Sequence, residues 1–462
     1  MKIILIQPAY PHSNGQKYQT YLPGSLMNVG SRLLKAGLDV SFVDLNISNV
    51  VNNPYGFAVF KAKVSENDII GFTVLGPPYI PIVIQLINRL YAAGAINSEQ
   101  KILIGGEGVA RVNPADFKRW FAGLNAIQIT NDHDIALACG IHPVSLVSAY
   151  ETSMVPMLQR LSDGELLNYL TTELSLFLSQ GCKFGCAFCS ANKNRREQYR
   201  DEQAVRDEIT FICAYLARIE HKELRIYLSN LDGFQTPAKL EESLRMVHEI
   251  ATTYGITPVI RCLATSRCTF QAHREDQDLL GRLRGHGLTI VAFGADGADE
   301  ATWRRQNKHH NSLSELQTVC GAMKDAGITV ELLMVIGFQD DGPRALWRDL
   351  KYSILQALKG RIIRPYLAKS QTPSGRWEQD NPQVKAFQDD ASLLSRLDYA
   401  MLGSAETHPK LWQRLMVNSV YLTIITMLTP FGKCPTSPLV PVPRGPGRWL
   451  ATQFNRLMPF DR

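Results

Sequence analysis

A chain of 462 residues is too long for one ordinary domain and leaves room for two or three, each able to bury a full core. An apolar fraction of 45% and a charged fraction of 20% are those of packed domains and exclude a disordered chain. The net charge of +6 is mild, with Lys and Arg scattered among nearly as many acids, so no nucleic-acid partner is expected.

The first 140 residues alternate strand and helix patterns. Residues 2–7 form a continuous apolar run. Residues 25–35 carry Leu26, Val29, Leu33 and Leu34 at helical spacing, and residues 38–45 return to β-formers. A strand at 69–75 precedes a helix containing Ile80, Ile84 and Ile87, and a strand at 101–104 runs into Gly105-Gly106-Glu107-Gly108. This alternation predicts an α/β fold with a doubly wound parallel sheet, whose ligand sits beyond the carboxyl ends of the strands. Residues 141–172 read as a connector containing a helix.

A second βα series then begins. Strands are expected at 174–179, 224–228, 258–264, 288–294, 328–337 and 362–367, with a helix at 201–218, which fits a partial (β/α)6 barrel with functional loops at the strand carboxyl ends. The divisions expected are 1–140, 141–172, 173–375 and a small C-terminal segment, 376–462, read as mainly helical and substrate-shaping. That segment ends in a proline-rich, basic and aromatic tail. The opening apolar run is too short for a secretory signal core, and the stretch at 420–431 falls short of the ~20 residues a spanning helix needs. The expectation is a cytoplasmic protein without a transmembrane segment. Nine cysteines, an odd number, do not make a disulfide framework and stay available for metal in a reducing compartment.

Three of them stand together. Ser179-Gln180-Gly181-Cys182-Lys183-Phe184-Gly185-Cys186-Ala187-Phe188-Cys189 places C-x-x-x-C-x-x-C on the loop after the first strand of the second series. Three close thiolates can hold a [4Fe–4S] cluster with one iron left open. Zinc, which usually wants four ligands in two spaced pairs, and plain packing are the competing readings. The other six cysteines read as small apolar fillers.

The cysteine loop, Gly181 before it and Phe188 inside it resemble the signature of the radical S-adenosylmethionine (SAM) superfamily. Leu228-Ser229-Asn230-Leu231-Asp232-Gly233-Phe234-Gln235 is similar to that family's second-strand motif, and Phe293-Gly294-Ala295-Asp296-Gly297 to its fourth-strand motif, with Asp296 in place of the usual glutamate. Arg304-Arg305-Gln306-Asn307-Lys308 and Thr372-Pro373-Ser374-Gly375 match the usual continuation. The resemblance implies Cys182, Cys186 and Cys189 as cluster ligands, Phe188, Ser229, Asp232 and Asp296 as SAM contacts, and cleavage of SAM to a 5′-deoxyadenosyl radical. It also implies an external electron donor such as flavodoxin or ferredoxin.

The preceding α/β domain resembles the cobalamin-binding domain of B12-dependent radical SAM proteins at Ile6-Gln7-Pro8, Gly71-Phe72-Thr73-Val74 and Ile104-Gly105-Gly106-Glu107. That likeness implies cobalamin held by Pro8, Thr73, Gly105, Gly106 and Glu107. His12, in a His-x-x-Gly stretch lacking the usual aspartate, is a candidate for the cobalt. The implied reaction is methylation of an unactivated carbon of a small molecule or natural product. Its alternatives are a cobalamin-dependent rearrangement or cyclisation, and a non-catalytic cluster or cobalamin protein. A tRNA methylthiotransferase is disfavoured, since no cysteine precedes Cys139 to hold a second cluster.

Overall fold

Short aliphatic runs buried on both faces are what parallel strands require, and the computed structural model of the protein builds its first sheet from them. It describes residues 1–9, 21–47, 54–75, 79–110, 112–170, 173–187, 189, 196–338, 341–369, 401–403, 412–413, 415–417 and 419. One unit takes in Met1–Ser175 and Arg200–Tyr215, and another takes in Leu176–Tyr199 and Leu216–Gln371.

In the first unit, β1 (Lys2–Gln7), β2 (Asp39–Asp44), β3 (Ile69–Thr73), β4 (Lys101–Gly105) and β5 (Ala126–Ile129) form one parallel sheet in the order β2-β1-β3-β4-β5. The direction of winding reverses between β1 and β3, which makes their carboxyl ends the switch point of the sheet. The helices Gly24–Lys35 and Tyr79–Ala92 carry the crossovers, and each buries an apolar face that the sequence spacing predicts. The fifth strand was not anticipated, because four residues are too few to show a period.

The helix Glu202–Arg218, expected with the second βα series, packs with the first unit through Tyr215. The Glu208 carboxylate is fully buried and accepts two N–H groups of Arg200, at 2.9 and 2.6 Å, and the Met154 backbone N–H at 2.7 Å. The Tyr215 hydroxyl donates to the Asp163 carbonyl at 2.8 Å. A buried pair satisfied in this way is costly to break from one side.

In the second unit, a two-stranded antiparallel ribbon, β7 (Ser179–Gln180) with β8 (Gln198–Tyr199), follows β6 (Leu174–Leu176). The main sheet continues through β9 (Glu223–Leu228), β10 (Thr257–Ala264), β11 (Leu288–Gly294), β12 (Thr329–Ile336), β13 (Ile362–Lys369) and β14 (Met401–Gly403), in the order β14-β13-β12-β11-β10-β9-β6. Sequential parallel strands joined by helices such as Pro237–Thr253, Leu313–Asp325 and Pro343–Leu358 make the expected partial (β/α) barrel. Strand β14 is one more than the six expected and lies in the segment read as helical. Beyond it, helical positions at 412–413, 415–417 and 419 dock through Gln413, whose side-chain N–H donates to the carbonyls of Phe338 and Asp341 at 2.8 and 3.1 Å. Among the described residues no helix is long and apolar enough to cross a membrane. The loop at 372–375 and the tail from 421 lie outside the described residues.

The turn after β11 depends on a buried acid. Gly297 has φ +88°, and a Cβ there would stand 2.7 Å from the Asp349 carboxylate, which accepts the Ala298 N–H at 2.6 Å. Burial, reinforced by Asp341 and Asp299, pushes the Asp349 carboxyl up from 3.8 to about 7. Such an acid holds its proton in the fold while the unfolded chain has released it. Its stabilising contribution is therefore complete below 3.8 and is lost as pH rises towards 7. Asp349→Asn keeps the acceptor oxygen and removes the titration. Thermal melts are expected to show no gain at pH 4 and a gain of about 2–4 °C at pH 8.

Candidate functional site

The cysteine loop leaves β7 through Gly181, whose φ is +113° and whose Cβ would lie 2.3 Å from the Arg196 carbonyl oxygen. Only glycine lets the loop fold back this closely on the chain entering β8. Glu197 ties the base together: its carboxylate accepts from Ser179 Oγ at 2.7 Å, Thr236 Oγ1 at 2.9 Å and Gln235 Nε2 at 3.1 Å. Gln235 Oε1 in turn accepts the Lys183 N–H at 2.7 Å. On the other side, Ala187 N–H donates to the Gln306 carbonyl at 2.8 Å and Asn307 Nδ2 donates to the Gly185 carbonyl at 2.6 Å. The rings of Phe184 and His310 stack with centroids 3.8 Å apart.

Cys182, Cys186 and Cys189 are half-buried cysteines outside any disulfide on this loop, and the Cys189 N–H donates to the Cys186 carbonyl at 3.1 Å. Burial pushes the Cys186 thiol up to about 11, against the pull of the Lys308 ammonium, so a metal that takes it as thiolate must displace its proton. Among the described residues no three His, Cys, Asp or Glu side chains close on a single ion, as zinc would need. A four-iron cluster takes one thiolate at each of three corners and leaves the fourth iron open. Three cysteines on one loop supply the number of thiolates that a cluster with one open iron takes. By contrast, Cys139, Cys213, Cys262, Cys268 and Cys320 are buried in the two cores, as fillers should be.

The carboxylates expected to contact SAM are engaged within the protein. Asp232 is 1% exposed; its oxygens accept Phe234 N–H and Thr265 N–H, both at 3.2 Å, and Thr265 Oγ1–H at 2.8 Å. It caps the turn after β9 and fastens that turn to the end of β10. Asp296, 5% exposed with φ +47°, pairs with the Lys308 ammonium through one oxygen and accepts the Val335 N–H at 3.1 Å through the other. Ser229 is half-buried at the end of β9, where its N–H donates to the Leu176 carbonyl at 2.9 Å. Phe188 lies outside the described residues. Deeper along the strands, the Arg261 guanidinium covers the Tyr227 ring at 4.4 Å and stands 3.5 Å from Glu331, a buried charged layer spanning β9, β10 and β12.

In the first unit, the carboxyl ends of β1, β3 and β4 bring Pro8, Thr73 and Gly105-Gly106-Glu107 to one edge, with Thr73 and Gly105 paired in register. Pro8 and Thr73 are buried, while Gly106 and Glu107 are exposed. The glycines already have internal reasons. A Cβ on Gly106, at φ +106°, would lie 2.6 Å from the Val74 carbonyl oxygen, and one on Gly105 would lie 3.2 Å from Ile129 Cβ. Two observations bear on a ligand here. Gln7, at the end of β1 and 4% exposed, has a buried Oε1 with no hydrogen-bond partner among the described residues. Asp44, at the end of β2 where a dinucleotide-binding domain grips a ribose, instead accepts the Tyr169 hydroxyl at 2.8 Å and is buried with it. That disfavours a nucleotide and leaves an orphaned amide oxygen suited to a ligand bearing N–H donors, such as the amide arms of a corrin. His12 lies outside the described residues.

No protein-family model matches the sequence. A bacteriochlorophyllide d C-8(2)-methyltransferase of Chlorobaculum tepidum is 23% identical over 167 residues, spanning 35% of this chain and only 34% of that relative's length. Among solved structures, the radical S-adenosylmethionine methyltransferase TsrM from Kitasatospora setae, with cobalamin and a [4Fe–4S] cluster bound, superposes with a TM-score of 0.57 at 13% identity. The match covers 79% of this chain and 74% of TsrM. The cobalamin-dependent S-adenosylmethionine radical enzyme OxsB, with aqua-cobalamin and S-adenosylmethionine bound, gives a TM-score of 0.59 at 14% identity, covering 76% of this chain and 51% of OxsB. The chain has the fold of the cobalamin-dependent radical SAM enzymes. In this radical SAM fold, the cysteines stand on the loop after the first barrel strand, and the glycine-rich turn stands at the edge of the N-terminal sheet. Sequence reasoning assigned no role to the residues that grip the cysteine loop, Glu197, Gln235, Gln306, Asn307 and His310. The 228–235 and 304–308 matches were the signals that pointed near them.

Proposed function

We propose that the protein is a cobalamin-dependent radical SAM methyltransferase acting on a small molecule or natural product. The observation that carries this reading is the set of three half-buried thiols, Cys182, Cys186 and Cys189, on a loop clasped from both sides within a fold whose solved examples carry a cluster and cobalamin. Cys182, Cys186 and Cys189 would hold the cluster, and the chemistry it would supply is one-electron reductive cleavage of SAM to activate a carbon of the substrate.

The chain's own part is to hold and shield. Gly181 and Glu197 close the base of the loop, Phe184 and His310 wall one flank, and the half-burial of the thiolates limits their contact with water. Pro8, Thr73, Gly105, Gly106 and Glu107 would line the corrin, with Gln7 Oε1 accepting from one of its amides. Residues 1–140 would serve cobalamin, 173–375 SAM, and 376–462 the substrate, linked by 141–172. A cytoplasmic low-potential donor of the flavodoxin or ferredoxin class would supply the electron.

Anaerobic purification tests this directly. About four irons per chain, a corrinoid absorbance spectrum and release of 5′-deoxyadenosine under strong reductant are the expected results. A protein with cluster but no corrinoid would sink the methyltransferase reading. Label from methyl-labelled SAM that never reaches product would point to rearrangement or cyclisation instead.

A further inference from the structure

Asp296 has a partner that its motif does not announce. Its two oxygens are taken by the Lys308 ammonium and the Val335 N–H, and its own carbonyl accepts Trp303 Nε1–H at 2.9 Å. Lys308 is 4% exposed and donates a second hydrogen bond to the Gly294 carbonyl at 2.6 Å. The two residues just before Lys308 bind the cysteine loop itself, through Gln306 O to Ala187 N–H and Asn307 Nδ2–H to Gly185 O. One short segment thus fixes a buried cation and its counter-anion against the loop that carries the thiols. Two buried charges that neutralise each other contribute little net field, whereas either one alone contributes a full unit charge at low dielectric.

We propose that Asp296 and Lys308 act as one positioning pair whose balanced charge sets the reduction potential of the cluster on Cys182, Cys186 and Cys189, rather than Asp296 serving as a SAM ligand. The inference rests on the proposed cluster. The redox step is the transfer of one electron from a low-potential one-electron donor to the cluster, which gains one negative charge while no bond is made or broken in the protein. An unpaired Asp296 beside it opposes that charge, and an unpaired Lys308 favours it.

The test is an EPR-monitored redox titration of anaerobically reconstituted full-length protein, with iron content and circular dichroism measured on each variant. Lys308→Met should shift the midpoint to more negative potential by about the equivalent of a tenfold change in the reduced-to-oxidised ratio, ~59 mV for a one-electron couple. Asp296→Asn should shift it the opposite way. The double variant Asp296→Asn/Lys308→Met and the conservative Lys308→Arg should both return near the wild-type value. Midpoints that coincide in all variants would overturn the inference and leave a merely structural pair. An Asp296→Asn protein with an unmoved midpoint but weakened SAM binding would overturn it in favour of a SAM ligand. A wild-type protein that takes up no iron would overturn both the inference and the function on which it rests, whereas unmoved potentials in a clustered protein overturn the inference alone.

Discussion

Cys186→Ala should fold, lose its iron and cleave no SAM, while Cys262→Ala should lose stability and keep its iron. The contrast follows from where the two thiols sit. Cys262 is fully buried in β10, where burial pushes its thiol up to about 12 and makes it a small apolar filler. Truncating it leaves a small cavity, at a cost of about 1 kcal/mol. Cys186 is half-buried on a loop, and its neighbours on that loop are held by hydrogen bonds that do not use its sulfur. Alanine there leaves those bonds in place and removes one of three ligands that a four-iron cluster needs. Iron per chain is expected to fall from about four to a trace, with 5′-deoxyadenosine formation abolished and the melting temperature little changed. Equal iron content in the two variants would show that the loop cysteines are fillers as well.

Much of this architecture was legible in the chain because it is periodic. The runs at 2–7 and 69–73 are aliphatic on both faces and can be little else than central parallel strands. The cysteine spacing was legible because the three ligands lie within one loop. What escaped was short or distant. Ala126–Ile129 and Met401–Gly403 are four and three residues long, and a period cannot show in so few. The inward commitments of Asp232 and Asp296 depend on Thr265, Lys308 and Val335, which stand 33, 12 and 39 residues away in the chain. The hydrogen bond from Asn307 to the cysteine loop spans 122 residues. A motif names which side chains are present at a site. Whether a carboxylate in it is turned towards a ligand or spent within the fold is set by partners that arrive from other strands.

The same distinction makes Gly181 as consequential as the cysteines it precedes. Its Cβ would meet three backbone atoms, Arg196 O at 2.3 Å, Arg196 C at 2.8 Å and Glu197 Cα at 3.0 Å, and none of these can swing aside as a side chain would. The backbone at φ +113° adds strain that any L side chain would feel. Gly181→Ala must therefore push the start of the loop away from β8, at the point where Ser179 and Glu197 hold the ribbon closed. The barrel strands do not depend on that ribbon for their pairing order, so the damage should stay local. The expected result is a protein with wild-type circular dichroism that holds less than half of the wild-type iron, although all three thiols remain. Cys182, one residue away, should become more reactive towards a thiol-labelling reagent in the metal-free variant than in the metal-free parent. Full iron loading of Gly181→Ala would mean that the tight base of the loop is not what places the thiols for a cluster.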